Sequence, residues 1–202
     1  GVGFLANVDG TPTHSIIERG IEVLKNLLHR GATGADTNTG DGAGLLFQLP
    51  DKFFRRVAPA LMFELPPAGQ YGVGMFFLPR DEQVRVACCR IIEAVSEAEG
   101  LTFLAWRDVP IDSSVLGEQA RQTEPSVMQC FVGGAGLEGD ALERKLYVVR
   151  RQIETRVVKE HPADQMFYVP SFSCRTIVYK GLMMATQVPG YFADLGDKDL
   201  ES

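Results

Sequence analysis

Residues His29 to Gly44 read His-Arg-Gly-Ala-Thr-Gly-Ala-Asp-Thr-Asn-Thr-Gly-Asp-Gly-Ala-Gly, five glycines interleaved with small, hydroxylated and acidic residues. Such a run does not propagate as helix or ordinary strand. Glycine admits positive φ and lets the backbone come very close to another group. A loop of this composition, held between regular elements, is where binding and catalytic groups are commonly mounted. Three familiar chemistries are excluded by its spacing. A P-loop needs lysine and Ser/Thr after the last glycine, and no lysine follows here. A dinucleotide fingerprint follows a strand and opens a helix, whereas this run follows a helical pattern and opens a strand. Asp36-x-Asn38 begins like an EF-hand, but position six is Asp41 instead of glycine and position twelve is Phe47 instead of glutamate.

The remaining reactive side chains are dispersed. Cys88, Cys89, Cys130 and Cys174 form no Cys-x-x-Cys pair, and His14, His29 and His161 are scattered, which argues against a zinc site. No Gly-x-Ser-x-Gly elbow occurs, and no cysteine has a recognisable histidine partner setting. Ser171, Ser173 and Cys174 read as structural. Arg175 reads as an ion-pair residue or as one facing a neighbouring sheet. His14 and His161 read as helix-end residues.

The elements that must position these groups follow from periodicity. Gly1 to Val8 reads as an opening strand. Ser15-Ile16-Ile17-Glu18 matches a capping box, and Ile17, Ile21, Leu24 and Leu28 extend a helical stripe over 15–29. A short strand is predicted at 45–48, then a short helix from Pro50-Asp51 toward Pro66-Pro67. Tyr71–Leu78 reads as a buried strand. Asp81 caps a helix whose inner face is Val84, Cys88, Ile91, Ile92 and Val95, ending at Gly100. Strands are predicted at 101–106 and 126–132, with an irregular connection over 108–126 between them. Leu142, Leu146, Val149, Ile153 and Val157 mark a helix over 140–160. Residues 167–173 and 175–179 read as two strands joined by a tight turn, and beyond Gly181 the pattern weakens. The alternation implies a layered α/β or α+β protein.

Composition sets the outer bounds. The chain has 202 residues, 45% of them hydrophobic and 23% charged, and a formal net charge of −6. These values suit a globular protein with one sizeable core. The acidic balance argues against nucleic acid and against an anionic membrane surface. No apolar run approaches the roughly 18 residues of a spanning helix. Unpaired cysteines fit a reducing, cytoplasmic setting.

Five stretches, in order, resemble the glutamate synthase family: Gly1-Val2-Gly3-Phe4, His29 to Gly44, Trp106 to Pro110, Leu142 to Val148, and Ser173-Cys174-Arg175-Thr176-Ile177-Val178-Tyr179-Lys180-Gly181. The second and fifth are the most specific. The resemblance covers essentially the whole chain and points to the family's class II glutamine amidotransferase domain. It implies an α+β fold of the N-terminal-nucleophile type, an αββα sandwich, with residues 1–202 forming part of a single domain. It implies hydrolysis of L-glutamine to glutamate and ammonia, the ammonia passing to 2-oxoglutarate at a separate site. The nucleophile would be an N-terminal cysteine immediately preceding Gly1, its α-amino group acting as base because that amine's pKa is near ~8 and not the ~10.4 of lysine. Gly1, Arg30 and Gly31 would neighbour the site, and the loop Thr37 to Gly44 would shape its wall rather than perform chemistry. Arg30 would favour the thiolate and orient a carboxylate, or else serve as an ion-pair residue at a helix C-terminus.

The resemblance places no cofactor or metal in this segment. FMN and an iron–sulfur cluster belong to other domains of such enzymes, and the partners it implies are those domains and a small reductase subunit or ferredoxin. The family's later motifs, His-Ser-Arg-Phe-Ser-Thr-Asn and His-Asn-Gly-Glu, have no counterpart, since the only asparagines are Asn7, Asn26 and Asn38. The expectation is therefore an incomplete fold that is inactive by itself. A degenerate amidotransferase-like module with a structural or docking role is the alternative. The phosphoribosylpyrophosphate and glucosamine-phosphate amidotransferases share a shorter Arg-Gly motif but lack the second and fifth runs.

Overall fold

The computed structural model describes residues 1–30, 38–162 and 164–202, with Arg30 described by its backbone alone. Its helices are α1 (His14–Asn26), α2 (Asp51–Val57), α3 (Glu82–Ala98), α4 (Glu118–Gln122), α5 (Gly139–Glu160) and α6 (Val188–Tyr191). Its strands are β1 (Ala43–Gln48), β2 (Tyr71–Leu78), β3 (Thr102–Asp108), β4 (Ser126–Gly133), β5 (Tyr168–Ser173) and β6 (Thr176–Gly181). The mixture is α+β. Contacts divide the chain into two compact units. One comprises Gly1–Phe53, Val109–Glu124 and Val178–Ser202; the other comprises Phe54–Asp108 and Pro125–Ile177.

The second unit is built on a four-stranded sheet in the order β3-β4-β2-β5. β2 is antiparallel to β4, with Tyr71 opposite Gly133 and Leu78 opposite Ser126. β5 runs antiparallel along the other edge of β2, with Val73 opposite Ser173. Phe76, Leu78, Cys130, Val132 and Phe172 face a core shared with α3 and α5. α3 carries to it the stripe expected from periodicity: Cys88, Ile91, Ile92 and Val95 are buried, with Val84 packed at the rim. Asp81 accepts a hydrogen bond from the Val84 N–H at 3.0 Å and so caps the helix. α5 contributes Leu142, Leu146, Val149, Ile153 and Val157 at helical spacing, all buried. Removing a side chain of this kind from water is worth about 1.5–3 kcal/mol, so these two faces dominate the unit's stability. Lys145 and Gln152 of α5 both reach Glu99 beyond α3, at 2.9 and 2.6 Å.

The first unit contains a two-stranded sheet of β1 and β6. Tyr179 of β6 stacks on Phe47 of β1 and meets Phe192 edge-on, and Phe192 in turn meets Tyr191. The last residues close against α1 and β1. Thr13 N–H donates to the Ser202 carbonyl at 3.0 Å, His14 Nδ1–H to the Leu200 carbonyl at 2.9 Å, and Lys52 pairs with Glu201 at 2.8 Å.

Several expectations are corrected. Gly1 to Val8 is not a strand; residues 1–6 are exposed, with no described strand beside them to supply ladder hydrogen bonds. The capping box does not form. Thr13 is the N-cap residue, its hydroxyl engages Ser15 at 2.9 Å, and Glu18 is drawn away to Lys198 at 2.7 Å. The two strands near residue 174 are no hairpin, since β5 belongs to the four-stranded sheet and β6 to the two-stranded one. The connection over 108–126 contains α4, and the chain beyond Gly181 forms α6 and a 3-10 turn at Ala193–Gly196.

Candidate functional site

The glycine run is described from Asn38 onward. At Gly40 and Gly44, β6 and the turn after it leave no room for a side chain. A Cβ at Gly44 would press on Lys180 Cβ and lie 2.6 Å from the Tyr179 carbonyl oxygen. A Cβ at Gly40 would lie 2.7 Å from the backbone of Met183 and Met184. Gly42 between them has φ +122°, a conformation side-chain-bearing residues rarely adopt. Two runs far apart in the sequence, 39–44 and 179–184, are thus one backbone-to-backbone contact.

Buried polar groups fix the surroundings of this contact. Thr39 is buried. Gln187, just before α6, accepts from Met184 N–H at 2.7 Å and donates to the carbonyls of Asn38 at 2.9 Å and Val115 at 2.6 Å. Tyr191 and Ser113 both donate to Oε1 of the buried Glu124, at 2.9 and 2.7 Å. Tyr179 donates to Asp194 at 2.8 Å, both residues being buried. Asp112 N–H donates to the Tyr191 carbonyl at 2.9 Å, and Ala193 N–H to that of Pro110 at 3.2 Å. The segment following the Trp106–Pro110 run is therefore stitched to α6.

In the second unit, Glu143 of α5 holds the exit of β5. It accepts from the Ser173 hydroxyl at 2.8 Å and from Cys174 N–H at 2.9 Å, and the Cys174 thiol donates to it at 3.1 Å. Ser173 Oγ then accepts from Arg175 N–H and Thr176 N–H at 3.0 and 3.1 Å, and Arg175 forms an ion pair with Asp140. This small network turns the chain out of β5.

None of the four thiols is set up to attack. Burial pushes Cys88 up to about 11 and Cys89 up to about 12, with the Glu93 carboxylate adding to the rise at Cys89. Burial raises the fully buried Cys130 as well. Burial and then the hydrogen bond to Glu143 bring Cys174 to about 12. A thiol that stays protonated at neutral pH is a poor nucleophile. His14 is committed to the Leu200 carbonyl, and His29 Nδ1–H to that of Asn26 at 3.0 Å. Among the described residues no group of three or more His, Cys, Asp or Glu is placed to hold a metal. No described helix is long and apolar enough to cross a membrane.

Of the expected site neighbours, Gly1 is exposed. Gly3, two residues on, lies against Val23 of α1. Arg30 ends a 3-10 turn, Leu28–Arg30, directly after α1. Gly31 lies outside the described residues. Sequence reading missed Gln187, Glu124, Tyr191 and Asp194. The apolar spacing Val188, Tyr191, Phe192, Leu195 was the available sign that this stretch is buried.

The class of protein follows from comparison with known families. The family model described as "Glutamine amidotransferases class-II" matches residues 1–202, and the chain belongs to that family. It is 41% identical over its whole length to the glutamate synthase [NADPH] large chain of Azospirillum brasilense. It is 42% identical, over 98% of its length, to that of Bacillus subtilis (strain 168). The ferredoxin-dependent glutamate synthase 2 of a Synechocystis species is 38% identical over 96%. The chain spans about 13% of the length of the first two and 12% of the third.

Proposed function

We propose that this chain is the glutaminase portion of a glutamate synthase, supplying ammonia for glutamate biosynthesis and nitrogen assimilation. One observation carries the reading. The two runs most particular to that family, His29–Gly44 and Ser173–Gly181, meet where Gly44, at the end of the first, lies against Tyr179 and Lys180 of the second, with no room for a side chain at the glycine. Both units would belong to a single N-terminal-nucleophile domain of the αββα type, of which residues 1–202 are a part.

In this reading the thiolate of a cysteine directly preceding Gly1 attacks the carbonyl carbon of the L-glutamine side-chain amide. Its own α-amino group takes the thiol proton and returns it to the departing nitrogen, which leaves as ammonia. Water then attacks the thioester, releasing glutamate and restoring the thiol. Donors around the carbonyl stabilise the tetrahedral oxyanion. Arg30 and Gly31 neighbour that thiol. The raised pKa values of Cys88, Cys89 and Cys174 support assigning the attack to none of them. The dispersed cysteines do not fit an iron–sulfur cluster, which with FMN is assigned to other domains of the parent enzyme. A small reductase subunit or ferredoxin would supply electrons there, in the cytoplasm. The test is glutamate and ammonia release from glutamine by the full-length protein, lost when the residue before Gly1 is replaced by alanine.

A further inference from the structure

We infer that Gln187 is a positioning residue of the glutaminase site; this rests on the reading just proposed. Its carboxamide uses both donors and its acceptor. Oε1 receives Met184 N–H at 2.7 Å, and Nε2 donates to the Asn38 and Val115 carbonyls at 2.9 and 2.6 Å. The orientation is fixed, because a flipped amide would set its NH2 against an N–H and its oxygen against two carbonyls. Three segments separate in sequence meet at this one side chain: the start of the Thr39–Gly44 run, the 3-10 turn Ser113–Val115, and the turn after β6.

No common side chain substitutes. Glutamate has the length but no donor when ionised, lysine has no acceptor, asparagine is one methylene short, and methionine fills the space without bonding. The glycines of the run have no side chains with which to anchor themselves. Asn38 is held through its carbonyl by Gln187, and the same carboxamide secures Met184, on whose backbone Gly40 rests. The turn at Ser113 is braced from the other side by Glu124 and Tyr191, the latter one helical turn beyond Gln187. In the proposed reading the glycine run is a wall of the site, and Gln187 sets where that wall stands without touching substrate.

The test compares full-length wild type with Gln187→Glu and Gln187→Met, using glutamine kinetics and peptide-level amide hydrogen exchange. The expected result is faster exchange over 38–44 in both variants and a kcat/KM for glutamine lowered about tenfold or more, mostly through KM. Gln187→Glu should recover relative to wild type as the pH is lowered, because the protonated carboxyl regains one donor, whereas Gln187→Met should not. If one variant fails to fold, the other carries the test. Unchanged exchange over 38–44 overturns the inference, as does faster exchange with kinetics within twofold of wild type. Wild type without glutaminase activity overturns the proposed function instead, before any variant is considered.

Discussion

Gly44 lies directly against Lys180, so close that a Cβ on the glycine would press on the lysine's own Cβ and sit 2.6 Å from the Tyr179 carbonyl oxygen. The glycine is thus a packing requirement of the β1–β6 pair. Gly44→Ala is expected to destabilise the protein by about 1–3 kcal/mol, the usual cost of overpacking a tight site. Gly196→Ala is the control, since no atom lies within 4 Å of its added Cβ; it should stay within about 0.5 kcal/mol of wild type. Urea denaturation of both variants checks the difference.

Glu143 satisfies the Ser173 hydroxyl and the Cys174 N–H where the chain leaves β5. Glu143→Ala removes the acceptor from both, at an expected cost of about 1–3 kcal/mol. Glu143→Gln, which keeps one acceptor oxygen, should cost less. The alanine variant should also alkylate faster at Cys174 near pH 9, because the hydrogen bond and the carboxylate that help to raise this thiol are gone. Denaturation midpoints and mass-resolved iodoacetamide labelling report the two effects separately.

The structure also shows what sequence periodicity could and could not convey. α3 and α5 were legible because Val84 to Val95 and Leu142 to Val157 repeat at the helical period, and one-sided burial imposes that repeat. β5 and β6 were legible as strands but not as members of different sheets. Adjacency in sequence suggested a hairpin, whereas their partners, β2 and β1, lie far away along the chain. The glycine run was conspicuous, yet what demands Gly40 and Gly44 is the backbone of 179–184. Gln187 was invisible because its partners are 149 and 72 residues distant and nothing local marks a lone glutamine as a clasp.

The buried thiols make stability depend on alkaline pH. Cys88 and Cys89 stand at about 11 and 12 in the folded chain, above the ~8.5 of an unfolded cysteine. Below the unfolded value both states hold the proton and stability is complete. Above it the unfolded chain ionises first, so stability falls as pH rises from about 8.5 toward 11–12. Cys88→Ala should flatten that decline relative to wild type in urea midpoints measured between pH 7.5 and 10.5. Parallel curves would remove the thiol from the explanation.

Arg30 closes the 3-10 turn that follows α1 and precedes Gly31. If it neighbours the attacking thiol, Arg30→Ala in the full-length enzyme should lower glutaminase kcat/KM by about 10- to 100-fold, the scale on which a lost charged positioning group acts. Unchanged steady-state kinetics would remove Arg30 from the site and leave it an ion-pair residue at a helix end.

The most direct measurement is covalent trapping. The full-length protein is treated with a diazoketone analogue of glutamine, whose electrophilic carbon alkylates the thiol that attacks glutamine, and the labelled peptide is identified by mass spectrometry. The account predicts a single adduct on an N-terminal cysteine immediately before Gly1, protected by glutamine, with Cys88, Cys89, Cys130 and Cys174 unmodified. Glutamine-protected labelling of one of those four, or none anywhere, would contradict it.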